Sequence, residues 1–168
     1  MDAAVTIREL KPADSLAQLT RLLHAAYAQL GAMGFNYTAV DQTEDVTRRR
    51  IEGGTCLVAA SEGGLVGTIV YMPPGLSASC RHFAKPFVAK IGQFAVLPEF
   101  QGSGVGSRLL IAAEEIARNA GASELALDTA ENAAHLISWY QNRAYQFVEH
   151  AQWEGKTYRS VILSKALK

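Results

Sequence analysis

Between Ile91 and Leu110 an apolar run, three alternate glycines and an amphipathic helix pattern follow one another without a break. Phe94-Ala95-Val96-Leu97 predicts a buried strand that Pro98 closes. Gly102, Gly104 and Gly106 come next, then Val105, Leu109, Ala112, Ile116, Ala117 and Ala120 on one predicted helix face. Arg108, Glu115, Arg118 and Asn119 fall on the other side, and Glu114 and Arg118 are spaced for a helical ion pair. A strand, a glycine turn and a helix start form an anion site. The first helical N–H groups have no intrahelical partner, and the helix dipole adds positive charge there. Glycine lets the backbone approach a ligand closely, so a phosphate or pyrophosphate is the expected guest. Arg108 is the one basic side chain beside the turn in sequence, so backbone amides should do most of the binding.

Glycine-rich phosphate loops come in distinguishable forms. A Walker loop requires Gly-Lys-Ser/Thr four residues after its first glycine, and Ser107-Arg108 stand there instead. A dinucleotide fingerprint requires Gly-x-Gly-x-x-Gly, and Gly106 comes one place early for it. A third form, Gln/Arg-x-x-Gly-x-Gly/Ala, is met at every fixed position by Gln101-Gly102-Ser103-Gly104-Val105-Gly106. On this motif, with Phe94-Ala-Val-Leu-Pro-Glu-Phe100 before it, the chain resembles the GNAT superfamily of acetyl-CoA-dependent N-acyltransferases. The resemblance implies that Gln101 to Ser107 hold the coenzyme A pyrophosphate: Gln101, Gly102, Ser103, Gly104, Val105, Gly106 and Ser107. It also implies that the pantetheine arm lies in a splay between the strands near 91–97 and 124–129, pairing with backbone groups of Phe94, Ala95 and Val96.

Ala134-His-Leu-Ile-Ser-Trp-Tyr140-Gln-Asn-Arg-Ala-Tyr145 resembles the second GNAT signature, a helix carrying a tyrosine that leads into a strand. Tyr140 matches the tyrosine that serves many members as general acid. Its chemistry suits the role: a leaving thiolate has a solution pKa of about 8.5, and a phenol of about 10 can protonate it and be replenished from solvent. With Leu136, Ile137 and Trp139 around it, Tyr140 can also be read as a core residue. The signature has glycine before the aromatic, and here Ala144 stands there, which is costly if the position needs positive φ. Members also carry a cofactor-touching asparagine seven residues before the tyrosine. Here Asn132 is eight before and is the expected counterpart, with Glu131 beside it as a possible helix cap. A base or water chain must receive the amine's proton. Gln93 (through water), Glu99, Asp128, Glu131 and His135 are candidates, with Asp128 favoured.

The 168 residues, 49% apolar, are expected to form one domain with a substantial core. A formal net charge of zero argues against nucleic acid and membrane surfaces as partners. Arg48-Arg49-Arg50 is read as a solvated helix face. Cys56 and Cys80 are expected as reduced thiols, and with no signal or spanning segment the expected location is cytoplasmic, with no metal. A strand over Val5–Leu10, a helix capped by Asp14 and a second helix from Glu44 open the chain. Strands follow at Thr55–Ala60 and Leu65–Met72, then at Glu124–Thr129, Tyr145–His150 and Thr157–Leu163. His24 is read as structural. Met33, Phe35 and Tyr37 either wall a substrate site or pack beneath it, and the resemblance favours the wall. Arg81 and His82, in a link that also holds Ser77, either orient an anionic substrate or are exposed loop residues, and the exposed loop is favoured.

The expected class is α/β with a mixed, mostly antiparallel central sheet, β-α-α-β-β-β-α-β-α-β-β. The expected activity is acetyl transfer from acetyl-CoA to a primary amine by direct attack, with a small-molecule amine or a peptide N-terminus as acceptor. A homodimer is compatible with the resemblance. A non-catalytic acyl-CoA sensor is the alternative of another class.

Overall fold

The computed structural model describes residues 4–76 and 79–168 of the chain, so Ser77 lies outside the described residues. Its elements are β1 (Thr6–Glu9), α1 (Leu16–Ala32), α2 (Glu44–Ile51), β2 (Thr55–Ser61), β3 (Gly64–Met72), β4 (Val88–Val96), α3 (Val105–Asn119), β5 (Glu124–Ala130), α4 (Ala134–Gln141), β6 (Gln146–Ala151) and β7 (Ser160–Ala166). Among the described residues seven strands form one sheet in the order β1-β2-β3-β4-β5-β7-β6. Every neighbouring pair is antiparallel except β4–β5, which is parallel.

Both faces of the sheet's first half are covered, and side-chain alternation decides which residue goes where. Cys56, Val58, Leu65 and Val70 meet Leu19, Leu22 and Leu23 of α1. Leu57, Ala59, Val66, Ile69 and Tyr71 meet Val105, Leu109, Leu110 and Ala113 of α3 on the other face. Burial on both sides is why β3 is apolar along almost its whole length.

Several local expectations shift. Ser15, not Asp14, caps α1, its hydroxyl accepting from the Gln18 N–H at 3.1 Å. Asp14 is engaged by Arg8 at 2.7 and 3.0 Å, and these bonds hold its carboxyl down at about 2. The buried stripe of α3 also takes in Leu110 and Ala113, with Ala112 packed partly buried beside it, whereas Ala120 is exposed. The last strand starts at Ser160, because Thr157 is turned toward Asn36 by hydrogen bonds. His82 is 4% exposed, packed inside rather than in a solvated loop. No helix among the described residues is long and apolar enough to cross a membrane.

The pairing of β4 with β5 positions the site. It is confined to Val88–Glu124, Ala89–Leu125 and Lys90–Ala126. Beyond Lys90, β4 continues to Val96 and β5 to Ala130 without pairing, so the two strands diverge into a V. A β-bulge sits where they part: the β3–β4 register shifts between Thr68 and Val70, and Gln93 takes φ 45°. Bulges re-aim strands next to active sites, and this one re-aims β4 at the head of the opening.

Candidate active site

The V opens into a cavity of about 750 Å³. One end is the glycine turn, the floor is β4 from Ile91 to Val96, and the far end is made by α1, α2, β5 and the β6–β7 loop. Phe94, Ala95, Val96, Gln101, Gly102, Gly104, Gly106, Ser107 and Tyr140 all line it. Ser103, Val105 and Asn132 do not. Val105 is buried in the core, the Ser103 hydroxyl donates to the Phe100 carbonyl, and Asn132 is exposed.

The glycine turn has the form of an anion cradle. Gly102 and Gly104 have φ of 77° and 90°, and a Cβ built on either meets nothing within 4 Å, so the space over the turn is open. The left-handed Gly104 caps α3, presenting the first N–H groups of a 15-residue helix to that space. Arg108, the expected basic neighbour, is exposed and outside the lining. Arg143 takes that place from the end of α4. Its guanidinium lies 3.6 Å from the centre of the Trp139 ring and donates to Ser107 Oγ at 3.0 Å and to the Trp139 carbonyl at 2.9 Å. The sequence hid it because it is 36 residues from Ser107.

On the floor, strand pairing leaves the β5-facing edge of β4 unmatched past Lys90, and side chains fill part of the gap. The Tyr27 hydroxyl donates to the Phe94 carbonyl at 2.8 Å, and the Gln101 amide to the Val96 carbonyl at 3.1 Å. An extended chain with amide groups fits such an edge, because it supplies the partners a neighbouring strand would.

Tyr140 stands between the two ends. Its ring meets Phe94, Trp139 and Tyr145 at 6.4, 5.2 and 5.7 Å between centroids. Its hydroxyl makes no hydrogen bond among the described residues. Burial, reinforced by neighbouring Tyr27, Tyr145, Tyr37 and Asp128, pushes the phenol well above its ordinary pKa. It is therefore protonated throughout the neutral range, the state a proton donor needs.

The far end collects residues from distant parts of the chain. Tyr37 packs 5.4 Å from Tyr27 and 5.0 Å from Tyr158, and its hydroxyl reaches Thr129 Oγ1 at 2.9 Å. Phe35 packs beneath, edge-on to both Tyr37 and Tyr158, while exposed Met33 lines the cavity. The wall and packing readings thus divide between residues of one loop. Asp128 supplies the one carboxylate of the described lining, accepting from Trp153 Nε1 at 2.9 Å with Lys90 Nζ at 3.7 Å. Of the other base candidates, Gln93 and His135 line the cavity, Glu99 is exposed elsewhere, and Glu131 is engaged by Arg159 at 2.8 Å. Arg50 leaves the solvated run: it lines the cavity and donates to Gln42 Oε1 at 2.7 Å, whereas Arg48 pairs with Asp45 at the surface.

The acetyltransferase (GNAT) family model matches residues 18–145. Aminoglycoside N(6')-acetyltransferase type 1 of Stenotrophomonas maltophilia is 34% identical over 135 residues, 76% of each chain. S-alkylcysteine N-acetyltransferase of Bacillus subtilis (strain 168) is 27% identical over 164 residues, 96% of this chain and 89% of its own. A GNAT family acetyltransferase of Elizabethkingia anophelis, solved with acetyl-CoA bound, shares the fold at TM-score 0.71 and 17% identity, covering 99% of this chain and 100% of that one.

Proposed function

The chain belongs to the GNAT family of acetyltransferases and is an acyltransferase, and from that premise we propose that it moves an acetyl group from acetyl-CoA directly onto a primary amine held in the same cavity. The observation that carries this reading is that one cavity is lined by the glycine turn, the unmatched edge of β4, Tyr140 and Asp128. In this reading both substrates bind in the one cavity, and the acetyl group passes from sulfur to amine without an enzyme-bound acyl group.

Acetyl-CoA supplies the activated thioester and a thiolate leaving group. The chain's own residues do the rest. The turn from Gly102 to Ser107 binds the pyrophosphate through backbone N–H groups, with Arg143 and Ser107 beside it. Backbone N–H groups between Phe94 and Val96 align the pantetheine arm and polarise the thioester carbonyl. Tyr140 holds the proton that the leaving sulfur takes. Asp128 receives the amine's proton, directly or through water, and the Trp153 indole fixes its orientation.

Thiol release from acetyl-CoA over a panel of amines, with Tyr140→Phe beside the parent, tests the assignment. The variant should lose ~10²–10⁴ in kcat while binding acetyl-CoA nearly unchanged. Full activity in Tyr140→Phe removes the tyrosine from the chemistry. If acetyl-CoA raises the unfolding temperature but no amine yields thiol, the pocket belongs to a sensor instead.

A further inference from the structure

The acceptor end of the cavity holds more positive charge than acyl transfer requires. Arg50 from α2, Lys90 from β4 and Lys156 from the β6–β7 loop line it against the single carboxylate of Asp128. Asp128 and Lys90 face each other at 3.7 Å and offset one another. Arg50 and Lys156 have only neutral partners among the described residues. Arg50 donates to Gln42 Oε1, and Lys156 Nζ donates to the Asn36 carbonyl at 2.8 Å and to Thr38 Oγ1 at 3.0 Å. Burial depresses the pKa of both and Arg50 depresses Lys156 further, while the Asp128 carboxylate acts the other way on both and Asp41 on Lys156.

Two partly desolvated cations close enough to repel, with Asp128 and Asp41 acting on them only from beyond salt-bridge distance, are favoured by a ligand that brings an anion between them. Their positions are fixed in advance. Gln42, 4% exposed, orients Arg50 while its amide donates to Gln93 Oε1 at 2.6 Å and to Thr47 Oγ1 at 2.7 Å. The rings of Tyr27, Tyr37 and Tyr158 pack on one another and line the same cavity as this pair, forming a largely apolar wall.

We propose that the acceptor is an amine that also carries a carboxylate, an amino acid with an apolar or aromatic side chain. Arg50 and Lys156 hold its carboxylate, and the tyrosine wall covers its side chain. The proposal rests on the acyl-transfer reading above. It also sets this chain apart from its aminoglycoside-acetylating relative. A polycation would bring further ammonium groups against Arg50 and Lys156 in a cavity where like charges are poorly screened.

Matched acceptors decide it. Thiol release from acetyl-CoA is measured with phenylalanine against 2-phenylethylamine, methionine against 3-(methylthio)propylamine, and kanamycin as the polycation. In parallel, thermal unfolding with coenzyme A plus N-acetylphenylalanine or its amide reads the carboxylate subsite without turnover. The amino acids should exceed their decarboxylated partners in kcat/KM by roughly 30-fold or more, the scale of losing one partner of a part-buried charge pair. Arg50→Gln should abolish most of that preference through KM, and Arg50→Lys should keep part of it. Should the variants not fold, the parent protein's matched pairs still give the answer. Equal or faster turnover of the decarboxylated amines or of kanamycin overturns the proposal. So does stabilisation by acetyl-CoA with neither turnover nor a carboxylate-dependent shift. No response to acetyl-CoA and no thiol release with any amine would instead sink the acyl-transfer reading itself.

Discussion

Ala144 turns the chain from α4 into β6 with φ 72°, a left-handed conformation that a Cβ makes unfavourable. The penalty for an L-residue there is about 1–2 kcal/mol, and glycine gives back roughly 0.5–1 kcal/mol through its freer unfolded state. The alanine side chain is exposed, so its removal loses no packing. Ala144→Gly should therefore stabilise the protein by about 0.5–1 kcal/mol, seen as a higher urea midpoint at unchanged slope. An unchanged or lower midpoint would mean the turn relaxes at no cost. This strain was legible in the sequence, because the motif places glycine there. Arg50 was not. It stands in a run of three arginines, but helical neighbours point about 100° apart, so the third turns inward while Arg48 stays in solvent. His82 misled in the same way: its polar neighbours suggest a solvated loop, yet the ring is packed inside beside Glu124, 3.7 Å from Nε2.

The glycine turn and α3 work as one element, and their glycines are not equivalent. Gly104 needs its φ of 90° to cap the helix and keeps the space above it open. Gly106 is ordinary helix, and a Cβ there would meet Val96, Phe94 and Trp139 at 3.6 to 3.7 Å, normal contact distances. Gly104→Ala should cost about 1 kcal/mol of stability and sharply weaken acetyl-CoA binding. Gly106→Ala should gain up to about 0.5–1 kcal/mol from helix propensity and leave affinity within a few-fold. Thermal unfolding with and without acetyl-CoA separates the two. A comparable loss of affinity in both would show that the cradle needs bare backbone at each position. The helix, the turn and the strand before them were readable because their pattern is local. The lining role of Arg143 was not, since it comes from packing α4 against α3, with its guanidinium on Trp139 and Ser107.

Across the whole molecule, the order of elements was legible but the opening that makes the site was not. It arises because three residue pairs alone join β4 to β5, whose paired residues are 36 positions apart in the chain. Nothing in the apolar pattern of either strand says where pairing stops. The same distance hides how the far end is closed. There the loop after α1 is tied to the β6–β7 loop through Asn36. Its Nδ2 donates to the Gly155 carbonyl, and its Oδ1 accepts from the N–H and the hydroxyl of Thr157, at 2.8 to 2.9 Å. Together with the bonds of Lys156 Nζ to the Asn36 carbonyl and Thr38 Oγ1, they place Tyr37, on one loop, and Lys156, on the other, along a single cavity wall. Asn36→Ala removes all three side-chain bonds. Because the site is exposed, the stability loss should be modest, on the order of 1–2 kcal/mol. The effect on function should be lopsided. The glycine turn and the β4 edge do not touch Asn36, so the KM for acetyl-CoA should hold. The acceptor KM should rise about tenfold as Lys156 and the tyrosine wall lose their alignment. Steady-state kinetics in both substrates reads the difference. A parallel rise in both constants would mean that the latch supports the V as a whole rather than its acceptor end, and no change in either would mean that the β-strands hold the wall without it.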